Sequence, residues 1–213
     1  MGRAKEIELK VIPSSVANPF IKTHHYSGKV VNNSCLHFGA FLDGRLHGVM
    51  SYGPSLDKRK IMGLVEGTGW NEFLELNRMA FDEKLPRNSE SYCIGKSIRL
   101  IRKNAPQIKW IISFAVGCSC GDGTIYRASN FVLTAIKKNT ELRRNPATGE
   151  IMHTMTAYHQ QRQDFNNWEP VVGYQLRYIY FIDPSYRAKL KVPEIPFSRI
   201  QEMGAGMYKG EKR

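Results

Sequence analysis

The sequence lacks the long apolar runs, repeats and cysteine density that mark several protein classes. No stretch approaches the roughly 20 apolar residues of a membrane span. The first ten residues alternate charged and apolar side chains, unlike a signal peptide. No internal repeat or low-complexity block is present, which argues against solenoid and fibrous architectures. We therefore expect a cytoplasmic globular protein that does not bind a membrane.

Cysteine is also scarce, with four residues in a chain of 213. Because nothing marks the chain as secreted, we expect reduced thiols rather than disulfides. Cys118 and Cys120 are separated by one residue, whereas zinc sites use two to four and need a second Cys or His pair. A structural zinc site is therefore not predicted.

Acidic residues are few relative to basic ones. The 19 Asp and Glu residues face 31 Lys and Arg residues, which gives a net charge of +12. The excess is spread over both halves of the chain instead of being confined to a tail. Spread positive charge suits a polyanion, because binding releases the counterions condensed on nucleic acid. We expect double-stranded DNA as a partner, and the sequence indicates no oligomeric state.

Hydrophobic periodicity predicts an alternation of strands and helices. Asp43-Gly44 joins two apolar runs, Cys35–Leu42 and Arg45–Tyr52, as in a β-hairpin. The other predicted strands are 73–81, 107–116, one after residue 131, 151–157 and 174–182, with helices near 94–101 and 124–129. Residues 137–149 are expected to form a basic excursion.

The predicted fold class is α+β with an α/β-like order, a mixed central sheet and flanking helices in a single domain. We expect a catalytic domain over residues 1–183. Residues 184–213, with three prolines and three glycines, are predicted to form a basic C-terminal extension that wraps the domain or stays partly loose.

The segment after the predicted strand 73–81 has the features of an anion cradle. A polar turn leads into a helix start, where backbone N–H groups and the positive end of the helix face a ligand. Ser89 or Ser91 can cap this helix, Gly95 permits close approach, and Arg87 and Lys96 supply charge. The alternative is an ordinary capped helix with surface cations.

The second informative stretch runs from Gly121 to Phe131. Together with residues 87–95 it resembles the GNAT N-acyltransferase superfamily, whose pyrophosphate-binding turn and Tyr-x-x-x-Gly-Phe helix end match these positions. Asn130 stands where that superfamily has glycine. A longer resemblance covers residues 75–131, and more weakly 24–27 and 176–186: the chain is similar to the Mom family of phage DNA-modification proteins.

The Mom resemblance implies a GNAT-like fold and a phage-encoded enzyme in the host cytoplasm. That enzyme would transfer a methylcarbamoyl-type group to adenine N6 in DNA and so protect the DNA from restriction. Two alternatives stay open. One is an N-acetyltransferase that uses acetyl-CoA on a small molecule or protein, and the other is a non-catalytic DNA-binding protein on the same scaffold.

The resemblance also implies site residues. The catalytic candidates that it implies are Arg78, Tyr126, His25 and Tyr26, with Tyr126 matching the tyrosine that protonates the leaving thiolate in GNAT enzymes. Ser91 is a further candidate, because its position at the helix start can make its hydroxyl both a cap and a ligand contact. The implied cofactor is acetyl-CoA or a related CoA thioester, and the candidates for binding it are Arg87, Asn88, Ser89, Ile94, Gly95, Lys96 and Asn130. Iron or another divalent metal is left open, with His25 and Tyr26 as candidate ligands.

Modification of adenine at N6 requires several things of an enzyme. The N6 lone pair is delocalised into the ring, so an enzyme must position this amine, remove a proton and stabilise developing charge. The base must also leave the stack and rest against aromatic or apolar faces, for which the candidates are Tyr26, Tyr52, Trp70, Tyr126 and Trp168. One departure from the family is Val116, where its members have an aspartate; Asp122 either substitutes for it or caps a helix.

Overall fold

The computed structural model describes residues 2–116, 121–208 and 211–212. Short 3-10 helices lie at Arg3–Glu6, Gln163–Asn167 and Pro184–Lys189. The helices are α1 (Ser14–His24), α2 (Lys58–Met62), α3 (Ser89–Asn104), α4 (Thr124–Ala128), α5 (Thr154–His159) and α6 (Ser198–Glu202). The strands are β1 (Glu8–Val11), β2 (Leu36–Leu42), β3 (Arg45–Gly53), β4 (Phe73–Phe81), β5 (Trp110–Val116), β6 (Val132–Arg144), β7 (Ile151–His153), β8 (Glu169–Phe181), β9 (Met207–Tyr208) and β10 (Glu211–Lys212).

Eight strands form one mixed sheet in the order β1-β2-β3-β4-β5-β8-β6-β7. Strands β1 to β4 pair antiparallel, whereas β4 and β5 are parallel. Asp43 and Gly44 both have positive φ, 50° and 75°, as a two-residue hairpin turn requires. The predicted class, a mixed central sheet with flanking helices, is confirmed. None of the helices in the described ranges has both the length and the apolar composition of a bilayer-spanning segment.

The chain divides into two compact units, and the first contains Met1–Phe114, Ile125–Val132 and Tyr178–Pro193. One hydrophobic cluster in this unit holds Phe73 and Trp110, whose rings stack with centroids 4.5 Å apart. A second cluster packs Ala17 and Ile21 of α1 against Val49 of β3 and Ala80 of β4. These contacts fix α1 on one face of the β3–β4 pair.

The second unit contains Ala115–Thr124, Leu133–Arg177 and Glu194–Arg213. Its hydrophobic cluster consists of Met152, Ala157, Phe165 and Trp168. The Trp168 indole N–H donates to Asp164 at 3.0 Å, which satisfies its buried polar atom.

Two predicted elements of the second unit are wrong. The expected basic excursion at 137–149 is largely strand, because β6 continues to Arg144 with Lys137 and Lys138 exposed to water. The expected strand 151–157 ends at His153, whose imidazole accepts a hydrogen bond from the Met155 N–H and caps α5. Histidine is an unusual cap, so the sequence did not mark this helix start.

Candidate active site

The parallel strands β4 and β5 stop pairing partway along their length. Their register joins Phe73–Glu75 to Trp110–Ile112, whereas β4 continues to Phe81 and β5 to Val116. At the next position the Ser113 hydroxyl donates to the Leu76 carbonyl oxygen at 3.2 Å, so a side-chain contact takes the place of a backbone bond. Ligands of parallel sheets bind at the carboxyl ends of strands, where this pairing ends.

A β-bulge at the same point decides which face each β4 side chain occupies. Ser51 pairs with Arg78 but Tyr52 pairs with Leu76, which leaves Asn77 as an extra residue in β4. Arg78 lies on the same face of the sheet as Ala80, and α1 covers that face. Glu75 lies on this face too, as its pairing with β3 shows. Leu76 shares the α3 face with Tyr52, whose hydroxyl lies 2.7 Å from that of Ser97.

Arg78 is half-buried and bound to backbone oxygens. Its Nε donates to the Lys29 carbonyl at 2.9 Å, and Nη1 donates to the Asn77 carbonyl at 2.7 Å. Within the described residues it makes no ion pair with a carboxylate, so Arg78 does not serve as a simple salt-bridge residue. The guanidinium is thus held in place with its charge uncompensated by direct contact.

Glu75 is an acidic group of this face that the sequence analysis did not place among the candidate site residues. Burial raises the pKa of its carboxyl, while Ser55, Asn77 and Arg78 act in the opposite direction. The Ser55 side chain is 4% exposed, and its hydroxyl makes no hydrogen bond of normal geometry. A carboxylic acid between two leucines of a predicted strand was the signal available in the sequence, since acidic residues are seldom buried without a role.

His25 lies close to Arg78 and is a hydrogen-bond acceptor at Nδ1. The Ser27 backbone N–H donates to this nitrogen at 3.1 Å, and the Ser27 hydroxyl lies 2.8 Å from it. Burial, and secondarily Arg78, lowers the pKa of His25 to about 4. The neutral ring therefore carries its proton on Nε2. This arrangement favours a hydrogen-bond donor over a general base or a metal ligand at Nε2.

The lowered His25 pKa predicts a pH-dependent stability. The ordinary histidine pKa of 6.5 applies to the unfolded chain, and the lowered pKa of about 4 applies to the folded chain. Between these two pH values the unfolded chain binds a proton on His25 that the folded chain does not bind. The free energy of unfolding should therefore fall as the pH decreases through this range. His25→Asn keeps an acceptor for the Ser27 N–H and removes the titration. Denaturant unfolding at several pH values should show a shallower decline for this variant; parallel curves would contradict the assignment.

The aromatic candidates for holding an extruded base divide by exposure. Tyr26 is 55% exposed, with its ring 4.2 Å from that of His25, and Trp70 is 52% exposed. Tyr52 and Trp168 are buried at 0% and 3% and serve as core residues. Of the predicted stacking residues, Tyr26 and Trp70 are thus the ones that present a ring to solvent.

Tyr126 is buried at the first turns of α4. Its hydroxyl accepts a hydrogen bond from Ser113 at 2.8 Å, and its ring stacks on Tyr178 with centroids 5.0 Å apart. Burial is the main cause that raises the pKa of Tyr52, and Tyr126 adds to it, which places the two phenols near each other. Tyr126 therefore belongs to the α3 face, whereas Arg78 belongs to the α1 face, with the unpaired part of β4 and β5 between them.

Asn130 closes α4 as predicted, with φ of 62° in the left-handed region. The Phe131 N–H bonds to the Tyr126 carbonyl and the Asn130 N–H to the Arg127 carbonyl. These two bonds and the packing of Phe131 on Tyr126 form a Schellman motif. Asn130 thus has a structural part in holding Tyr126; its predicted role in cofactor binding stays a prediction.

The start of α3 differs from the predicted cap. Asn88 is the N-cap residue, in a left-handed conformation and without a side-chain cap bond. The hydroxyls of Ser89 and Ser91 donate to the carbonyls of Pro86 and Asn88. The first helical bond runs from the Tyr92 N–H to Asn88. The N–H groups of Glu90 and Ser91 precede that bond, so this end of the helix can receive an anion.

The other candidates for cofactor binding have distinct surroundings. Arg87 is exposed beside this helix start. Ile94 is fully buried, so its side chain packs in the core. The Lys96 ammonium donates to the Ile7 carbonyl at 2.9 Å. A Cβ built on Gly95 would approach only Arg99 Nη1, at 3.9 Å, so open space lies beside this glycine. The open helix end and this space fit the phosphates and arm of a CoA thioester.

Gly95→Ala should have opposite effects on folding and on binding. Alanine in a helix interior is favoured over glycine by about 1 kcal/mol, and nothing in the chain obstructs the methyl group. If the open space receives the cofactor, that methyl group weakens coenzyme A binding by about tenfold, or roughly 1.4 kcal/mol. Thermal unfolding and calorimetric titration with coenzyme A measure the two effects. A more stable variant with unchanged affinity would contradict the assignment.

The residues considered for metal binding are His25 and Tyr26, and Asp122 in the segment after Val116. Within the described residues no group of three His, Cys, Asp or Glu side chains is placed to hold a metal ion. Asp122 accepts hydrogen bonds from the Thr124 N–H and hydroxyl, which supports its role as a helix cap. Cys118 and Cys120 lie outside the described residues.

Comparison with known proteins agrees with the fold. An agmatine N-acetyltransferase mutant in its apo form superimposes with a TM-score of 0.50 at 11% identity, over 82% of this chain and 99% of that chain. At this identity the likeness shows the fold alone. A Bacillus subtilis acetyltransferase in complex with CoA gives a TM-score of 0.48 at 13% identity, over 82% of this chain and 97% of that chain.

Similarity in sequence identifies the family of this chain, which the similarity in fold does not. Methylcarbamoylase mom of Escherichia phage Mu is 38% identical over 128 residues, which are 60% of this chain and 53% of that protein. The alignment thus spans about half the length of this curated relative. The profile of the Mom protein family matches residues 6–199, and the chain therefore belongs to the Mom protein family.

Proposed function

We propose that this chain transfers a methylcarbamoyl-type group to N6 of adenine in phage DNA, in the cytoplasm of the host. The supporting relative is named a methylcarbamoylase, and the net charge of +12 suits a DNA substrate. The observation that carries the proposal is the unpaired segment of β4 and β5, with Glu75 and Arg78 on one face and Tyr126 on the other. This arrangement would set acid–base groups on both sides of the segment where the two strands no longer pair.

The α1 face supplies the groups that an adenine amine requires. Glu75, with its raised pKa, accepts the proton that N6 loses as the bond from N6 to the acyl carbon forms. Arg78 and the Nε2–H of His25 act as donors toward ring nitrogens or the acyl oxygen. The exposed ring of Tyr26 stacks on the extruded base.

The α3 face would hold a CoA thioester. Glu90 and Ser91 offer backbone N–H groups to its phosphates, Arg87 adds charge, and Gly95 leaves room for its arm. When bound, this group supplies an activated carbonyl and a thiolate leaving group. Tyr126 donates a proton to the sulfur as the carbon–sulfur bond breaks, so the proton lost by N6 is balanced by one gained there.

Mass spectrometry of nucleosides tests the proposal. DNA from cells that express the full chain should contain an adenine species heavier by the transferred group, whereas DNA from cells that express Arg78→Ala should contain at least tenfold less. A folded wild-type protein that leaves all adenine unmodified would overturn the proposal. Turnover of acetyl-CoA with a small amine and without DNA would instead support the alternative acetyltransferase.

A further inference from the structure

Leu56 is the most exposed large apolar side chain in the described part of the chain. It is 91% exposed, and it stands at the tip of the loop between β3 and α2. Leucine gains nothing from this position in the free protein, because its apolar surface remains in water. The preceding residue, Ser55, is 4% exposed and borders Glu75. Ser55 and Glu75 are here called the polar cluster, and Leu56 is one residue along the backbone from it.

The loop that presents Leu56 is held on both sides. The Pro54 carbonyl accepts a hydrogen bond from the Asn33 amide at 3.0 Å, and the neighbouring Gly53 is so tightly enclosed that a Cβ would lie 2.6 Å from the Asn33 oxygen. On the other side, the Asp57 carboxylate accepts from the Lys60 N–H and caps α2. Leu56 is thus fixed in its exposed position.

Three consecutive cations follow the tip. Lys58, Arg59 and Lys60 begin α2, and within the described residues none of them pairs with a carboxylate within 4 Å. The Lys58 ammonium lies 4.4 Å from the centroid of the Trp70 ring, which is itself 52% exposed. Cations that lack acidic partners are suited to the phosphates on either side of an opened base pair.

We propose that Leu56 is a wedge that enters the duplex and fills the gap left by the extruded adenine, while Lys58, Arg59 and Lys60 hold the flanking phosphates. Apolar wedges of this kind separate base steps in other DNA-binding proteins. The charge of α2, the fixed exposure of Leu56 and its one-residue distance from the polar cluster favour duplex DNA as the partner. This inference rests on the proposed function.

The test compares paired and unpaired adenine. Two pools of duplexes carry one adenine between randomised flanks of G·C and C·G pairs, opposite either thymine or an abasic site, and nucleoside mass spectrometry measures the modified fraction. Leu56→Ala should lower modification of the paired pool by about tenfold or more and of the abasic pool by no more than about threefold, because an unpaired base costs less to extrude. Val11→Ala, truncated at a side chain that is 66% exposed, should match the wild type on both pools.

Two results would overturn the wedge: equal losses on both pools, or no loss on either. A second measurement separates its failure from failure of the chemistry. With 2-aminopurine in place of the single adenine, binding of wild-type protein should raise the emission by unstacking that base, and Leu56→Ala should bind without this rise. If the emission rises but no adenine is modified, the proposed reaction fails and the wedge stands; if the wild type causes no rise, the wedge fails.

Discussion

Glu75→Gln should abolish most of the adenine modification and at the same time make the protein more stable. The amide cannot accept the N6 proton, and removal of a general base typically costs 10²- to 10⁴-fold, so we expect a loss of about 100-fold or more. Burial raises the pKa of the Glu75 carboxyl, so its charged form destabilises the native state at neutral pH. The neutral amide avoids that penalty while it keeps contacts with Ser55 and Asn77.

The stability gain from Glu75→Gln depends on pH. The folded chain holds the Glu75 proton more tightly than the unfolded chain, so the cost of burial is present above the folded pKa and vanishes below the ordinary value near 4.5. The advantage of Glu75→Gln in melting temperature should therefore be present at pH 8 and absent at pH 4. Glu141→Gln, at an exposed position of β6, is the matched control and should change neither property. A variant of Glu75 that retains full activity would remove it from the reaction.

Tyr126→Phe should lower activity far more than stability. The lost hydroxyl is the proposed proton donor to the leaving sulfur, and we expect a decrease of about 100-fold or more in the rate of transfer. Ser113 keeps the Leu76 carbonyl as an acceptor for its hydroxyl. The cost in unfolding free energy should therefore stay near 1 kcal/mol, the usual net value of one hydrogen bond.

Tyr186→Phe is the control for this prediction. The Tyr186 hydroxyl donates to Glu72 at 3.1 Å, and Glu72 also accepts from the Gly69 N–H at 2.7 Å, so Glu72 keeps a partner when this hydrogen bond is lost. Chemical denaturation should give similar losses for the two variants, whereas the transfer rate should fall only for Tyr126→Phe. Equal transfer rates for Tyr126→Phe and Tyr186→Phe would show that the Tyr126 hydroxyl contributes to packing alone.

Several features of the fold were predictable because they depend on local chemistry. Asp43-Gly44 indicated the hairpin, since few other dipeptides tolerate two positive φ angles. Asn130 indicated the end of α4 for the same reason. The predicted strand 73–81 coincides with β4, whose apolar residues are bounded by polar turns. In each case a few neighbouring residues determine the backbone.

The arrangement of the site was not predictable in this way. The extra residue at Asn77 is visible only in the pairing of β4 with β3, and it brings Glu75 and Arg78 to one face although they are three positions apart. The partners of Arg78 are carbonyl oxygens, which every residue possesses, so no side chain in the sequence announces them. The tautomer of His25 likewise depends on one backbone N–H.

The bulge at Asn77 also has a consequence for evolution, because it determines which β4 side chains lie on each face of the sheet. In the proposed reaction, side chains on opposite sides of β4 meet different molecules, so a substitution on the α1 side would alter which nucleophile is accepted and leave the acyl carrier untouched. One inserted residue thereby gives the strand two independently adjustable surfaces, and the scaffold can acquire a new acceptor without losing its donor.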